Sequence, residues 1–148
     1  EDQLRQVFEE TPLGMAVLEP QGTFRQVNRA FIMLLGAGLE QLLGLTILDV
    51  LHPEVLPAQV EELERLLQAG DPGSRVQRRF RTFTGETLWL EVTVTRLRGG
   101  DPGTLVMLEN VTERRYALEL LRASEEHFRS LIENAGDLIT MTDRDGVI

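Results

Sequence analysis

The 148-residue chain contains no cysteine. That excludes disulfides, thiolate metal sites, a cysteine nucleophile and any photochemistry that needs a cysteinyl adduct. Lysine is absent as well. All 15 basic residues are arginine, against 24 acidic ones, and the net charge of -9 argues against nucleic acid or an anionic membrane as principal partner. No apolar run approaches the roughly 18–20 residues a membrane helix needs, and no N-terminal signal pattern is present. The two histidines, His52 and His127, are far apart, so no metal site can be argued. The chain opens on Glu1 without an initiator methionine and stops at Ile148 within an apolar pattern. It therefore reads as part of a longer protein, with a cytoplasmic location expected for this part whether or not the parent is membrane-anchored. Hydrophobic content of 42% and charged content of 26% suit one globular domain with a proper core.

Leu4, Val7 and Phe8 stand at helical spacing in the segment 1–11, which Pro12 ends. Met15 to Leu18 and Phe24 to Val27 are short strands around the turn residues Pro20-Gln21-Gly22. Asn28 can cap a helix that holds Phe31 and closes at Gly36. A helical turn is expected between Gly38 and Gly44, and Pro53 is placed to start a longer helix ending near Gly70. Arg75 to Thr84 and Thr87 to Leu97 form a hairpin around Gly85, followed by a central strand, Leu105 to Leu108. From Val111 to about Asn134 the pattern is helical again. The order predicts an α+β domain with one five-stranded antiparallel sheet, helices on one face, and a helix at each end.

The chain also repeats itself. Laying Leu4–Phe24 over Phe128–Ile148, a shift of 128 − 4 = 124, matches Arg5 with Arg129, Glu9 with Glu133 and Gly22 with Gly146. Six apolar positions coincide too: 4/128, 7/131, 8/132, 15/139, 17/141 and 24/148. Helix, strand and turn agree without a gap, which predicts a tandem module whose opening occupies residues 136–148.

Five stretches in order resemble the PAS family of sensory modules (PAS/PAC). Phe8-Glu9-Glu10-Thr11-Pro12-Leu13-Gly14 is similar to its opening helix and first strand, and Asn28-Arg29-Ala30-Phe31 to its Asn-x-Ala-Phe helix start. Leu51-His52-Pro53-Glu54 resembles its His-Pro-acidic step, and Thr84-Gly85-Glu86 with Trp89 its hairpin turn and strand tryptophan. Glu109-Asn110-Val111-Thr112-Glu113-Arg114 is similar to its Asp-Ile-Thr-Glu-Arg junction, with Asn110 in place of the usual aspartate. Asparagine can still cap a helix but brings no charge to an ionic latch. The resemblance implies a cap helix over 1–11, a PAS core over 12–112 and a signalling helix over 113–135. It further implies a non-catalytic sensor of a small molecule or partner that relays a helix rearrangement to an output domain in cis, such as a histidine kinase or cyclic-dinucleotide enzyme. A ligand-free dimerisation module is the alternative, and a flavin or haem redox sensor a second one.

Particular residues follow from that frame. The inner sheet face and helices would wall a ligand with Phe31, Leu48, Leu63, Phe80, Leu90, Val92, Val106 and Leu108, or simply form core. Arg78, alone among them in charge, would answer a carboxylate. Asn110, Thr112, Glu113 and Arg114 would relay the signal. Trp89, Leu105 and Met107 fall on the outer sheet face, to be covered by Leu4, Val7 and Phe8 or by a second subunit. Leu118 and Leu121 would join a homodimer seam running Val111, Arg114, Leu118, Leu121, Glu125, Phe128, Ile132 and Ala135. No cofactor is expected: His52 is read as a capping or a solvated histidine rather than a haem ligand, and the flavin photoreceptor chemistry lacks its cysteine. Arg75, Arg79 and Arg81 share one strand side as an anion patch or a solvated face balanced by Glu61, Glu62 and Glu64. Gly99-Gly100-Asp101-Pro102-Gly103 lacks the Lys and Ser/Thr of a phosphate loop and is a turn, and no catalytic constellation is arguable.

Overall fold

The computed structural model describes residues 2–145, and side chains through Ala135. Its elements are α1 (Asp2–Glu10), β1 (Gly14–Leu18), β2 (Phe24–Val27), α2 (Arg29–Leu35), α3 (Leu39–Leu42), a 3-10 turn (Ile47–Val50), α4 (Pro57–Ala69), β3 (Ser74–Arg81), β4 (Thr87–Leu97), β5 (Gly103–Asn110) and α5 (Thr112–Asp145). The five strands form one antiparallel sheet in the order β2-β1-β5-β4-β3, with β5 at the centre. Alternation decides its two faces. Ala16, Leu18, Phe80, Leu90, Val92, Val94, Val106 and Leu108 point inward and are at most 2% exposed. Phe31 and Leu35 of α2, Leu42 of α3, Ile47 of the 3-10 turn and Leu63 of α4 close over them in a single cluster. The expected five-stranded α+β architecture with a helix at each end is therefore the observed one.

Local chemistry explains most boundaries. Asn28 caps α2 by accepting the Phe31 amide at 2.9 Å, and Gly36 ends it in the left-handed conformation at φ 74°. The hairpin turns at Gly85, but β3 stops at Arg81 rather than Thr84. The reason is that Thr82 Oγ1 accepts the Glu86 amide and the Phe83 amide donates to Leu35 O, so these residues close the turn.

Pro53 does not start the long helix. Leu51 pairs with Phe80, the His52 amide donates to Arg79 O, and the Val55 amide returns to His52 O. The chain is thus held to the sheet and turned before Pro57 opens α4 from its first turn.

The chain divides into two compact units, Glu1–Thr112 and Glu113–Ile148. Within the second, α5 stays helical to Asp145, where the repeat calls for a turn and the first strand of another module. Gly146 and Ile148, which the repeat matches with Gly22 and Phe24, lie outside the described residues.

Candidate functional site

Seven of the proposed wall residues, Phe31, Leu63, Phe80, Leu90, Val92, Val106 and Leu108, are 0–1% exposed and packed against one another. They are plain core. Leu48 alone among the eight is partly exposed, and it borders an open groove of about 370 Å³ with Leu18, Gln21, Thr46, Ile47, Glu64 and Leu67.

Arg78 does not face a ligand site either. Its side chain is 8% exposed and forms an ion pair with Glu62. Its Nε donates to Gln59 O at 3.1 Å and its terminal nitrogen to Gln77 O at 2.8 Å. A buried guanidinium is tolerable only when its donors are met. Here they are met by α4 and the strand itself, so Arg78 pins α4 to β3 and is not left to answer a ligand carboxylate.

Of the arginines on the other strand side, Arg75 and Arg79 have partners, but not the glutamates of α4 first considered, and Arg81 is exposed. Arg75 lies 3.9 Å from Glu91, and Arg79 lies 3.9 Å from Glu54 while its guanidinium stands 5.9 Å from the Trp89 ring. His52 is buried, not solvated: its Nδ1 accepts the Glu54 amide at 3.1 Å. The capping role was readable, but the burial was not, because it depends on the pairing of Leu51 with β3.

The outer sheet face carries Met15, Val17, Trp89, Leu105 and Met107, all partly exposed. Leu4 and Val7 do not close it, being 74% and 67% exposed. Asn28 Nδ2 donates to Phe8 O at 2.8 Å and Leu13 O at 2.9 Å, which holds the end of α1 beside α2 instead. Only Phe8 of the three is partly buried.

Polar groups converge at the junction between β5 and α5. Asn110 Oδ1 accepts from the Thr112 amide at 3.0 Å and from Thr112 Oγ1 at 2.6 Å. Thr112 Oγ1 in turn accepts the Trp89 amide at 2.9 Å, and the Val111 amide donates to Trp89 O at 2.8 Å. The first residue of α5 is therefore tied both to the end of β5 and to the backbone of β4. Asn110 and Thr112, two of the expected relay residues, come together here. Glu113 and Arg114 are exposed and enter none of the four ion pairs found among the described residues. The third member, the Trp89 backbone, escaped the sequence because its amide partner is fixed by strand register. Its indole had been placed on the outer face, and nothing local marks the main chain.

This network yields a direct test. Thr112→Val removes the acceptor of a part-buried amide and should destabilise the domain by about 1–3 kcal/mol, read as a lower urea midpoint. Thr112→Ser should recover most of the loss. Equal midpoints for all three proteins would show that the hydroxyl carries no such bond.

Residues 2–111 match the profile of the PAS fold family. Along its whole length the chain is 25% identical to the Probable diguanylate cyclase DgcE of Escherichia coli (strain K12), and spans 13% of that protein. Among solved structures, it superposes with a TM-score of 0.72 on an RNA-binding light-oxygen-voltage receptor, at 20% identity, covering 86% of this chain and 38% of that one. A domain of a sensory box sensor histidine kinase/response regulator from Geobacter sulfurreducens gives a TM-score of 0.61 at 23% identity, covering 73% and 91%. With the sheet order, the helical cover and the profile match in agreement, the chain belongs to the PAS fold family.

Proposed function

We propose that this PAS sensory domain relays the state of its core through the Trp89–Thr112–Asn110 network to α5, as a homodimer, and thence to an output domain in cis. The observation that carries the reading is the bonding of Thr112, the first residue of α5, to both β4 and β5. A shift of the sheet cannot leave the helix start unmoved without breaking those bonds. The relatives in a probable diguanylate cyclase and a sensory box histidine kinase support a cyclic-dinucleotide enzyme or a histidine kinase as output. No catalytic role is assigned to this part, and no nucleic-acid or membrane contact.

A second reading, a ligand-free dimerisation module, is favoured by one specific observation: seven wall positions, five on the inner sheet face and two on the helices, are packed shut. A small-molecule signal would then sit in an open surface groove such as the one beside Leu48, or displace core side chains. A haem finds less support at His52, whose side chain is buried with Nδ1 accepting the Glu54 amide. The protein purified in its native buffer should be colourless, and mass spectrometry after denaturation should release no stoichiometric flavin or haem. A stoichiometric Soret or flavin band would replace the relay reading with a cofactor sensor.

The pairing surface is α5. Leu118 and Leu121 are each 57% exposed, Phe128 64% and Ile132 55%. Completing the burial of such side chains contributes about 1–1.5 kcal/mol each, against an association cost of about 4–15 kcal/mol. The seam alone is marginal, which suits a contact that a signal can shift. A parallel pair keeps both cores at one end, so each passes its state to the same helix terminus. Leu118→Ser with Leu121→Ser should yield monomers by light scattering with the core's unfolding transition intact. A wild-type chain that stays monomeric at high concentration would reduce α5 to a spacer.

A further inference from the structure

The helix α5 repeats its chemistry every seven residues. Arg115, Arg122 and Arg129 recur in step, as do Glu119, Glu126 and Glu133. Apolar residues follow the same period but offer two seams. Both share Leu121, Phe128 and Ala135. One completes the stripe with Leu118, Glu125 and Ile132, the other with Ala117, Ser124 and Leu131. Each alternates steps of three and four residues, as a two-stranded coiled coil requires. Side chains of both seams are exposed. At about 3.5 residues per turn, successive residues are about 103° apart, so the seams differ by about a 50° rotation of each helix.

We propose that α5 presents these two overlapping seams to a second copy of this chain and that Glu125 decides between them; the inference rests on the pairing read above. The seam through Leu118 and Ile132 is richer in apolar bulk, but it places Glu125 opposite Glu125 of the second copy in a desolvated layer. Like charges there oppose pairing. The seam through Ala117 and Leu131 has smaller side chains and meets Ser124 instead. Bulk favours one and charge the other, which leaves the two close in free energy.

The opening helix supplies an independent reason for two seams. By the 124-residue shift, Val7 corresponds to Leu131 and Phe8 to Ile132. In α1 Val7 is 67% exposed, whereas Phe8 is partly buried and its carbonyl is held by Asn28. A PAS core that docks on such a helix thus takes the Phe8-type position and leaves the Val7-type position free. Applied to α5, a following module would withdraw Ile132 from one seam and favour the other.

Because the chain has no cysteine, single-cysteine variants of the whole chain report the seam without background. Positions that face their own copy come within the 4.4–6.8 Å Cα separation a disulfide spans. Cysteine at 117, 118, 131 and 132 should cross-link to comparable extents under mild oxidation, and cysteine at the shared position 121 strongly. Adding Glu125→Leu should raise the ratio of cross-linking at 118 and 132 over 117 and 131 on the order of tenfold. Ser124→Leu should move it the other way. Glu125→Gln, which keeps the shape, should shift the ratio in the same sense as Glu125→Leu. No cross-link at 121 in any background would overturn the pairing itself. Strong cross-linking at 121 with one fixed phase, indifferent to both substitutions, would leave the pairing standing and overturn the two seams.

Discussion

The side-chain amide of Asn28 is fully buried and satisfies all four of its hydrogen-bonding positions with backbone. Its oxygen accepts the amides of Met15, at the start of β1, and of Phe31, in the first turn of α2. Its nitrogen donates to the carbonyls of Phe8, in α1, and Leu13, in the connector. Three elements and one loop thus meet at one residue. Each of those backbone groups, left buried and unpaired, costs about 1–3 kcal/mol, so the site tolerates few other side chains. A hydrophobic residue would leave four such groups, and a shorter polar one could not reach both carbonyls and both amides.

Polar satisfaction governs the end of β5 in the same way. Thr112 and Asn110 join the start of α5 to β4 and β5 much as Asn28 joins α1 to β1 and α2. The two nodes lie close along the sheet. Met15, bonded to Asn28, pairs directly with Met107, and β5 runs three residues on to Asn110. Hydrogen bonds thus hold the end of α1 to β1 and α2, and hold Thr112 to β4 and β5. Such bonds are directional and break over small displacements, which makes both nodes sensitive to sheet movement while the core stays closed. Because Asn110 is neutral, the exit junction depends on geometry and not on an ion pair.

Much of this was legible because it is local. The cap at Asn28, the helix ends at Gly36 and Gly70 and the turn at Gly85 each follow from one residue's conformational chemistry. What failed was long-range. Pro53 was read as the helix start, but pairing of Leu51 with Phe80 holds the chain to the sheet and delays the helix to Pro57. Arg78 was correctly placed on the inner side of its strand, yet its partner Glu62 sits 16 residues away on α4. Leu4 and Val7 have the spacing of a buried stripe, but the grip of Asn28 on Phe8 sets α1 beside α2 instead. The candidate pocket fared worst for a similar reason. Inner-face alternation identifies which residues meet, and cannot say whether space is left between them.

The central claim is that the two polar nodes act through one shared strand pair, β1 with β5. Amide exchange of Trp89, followed by NMR in Asn28→Asp, tests it most directly. Aspartate keeps both acceptor positions but loses the donors to Phe8 and Leu13, so α1 should detach, and a helix of nine residues is marginal alone. The account predicts faster exchange throughout α1 and also at Trp89, whose amide is held by Thr112, with the Val92 and Val94 amides of β4 unchanged. Loss of protection confined to α1, with Trp89 exchanging as in the unaltered chain, would contradict it and leave the two nodes independent.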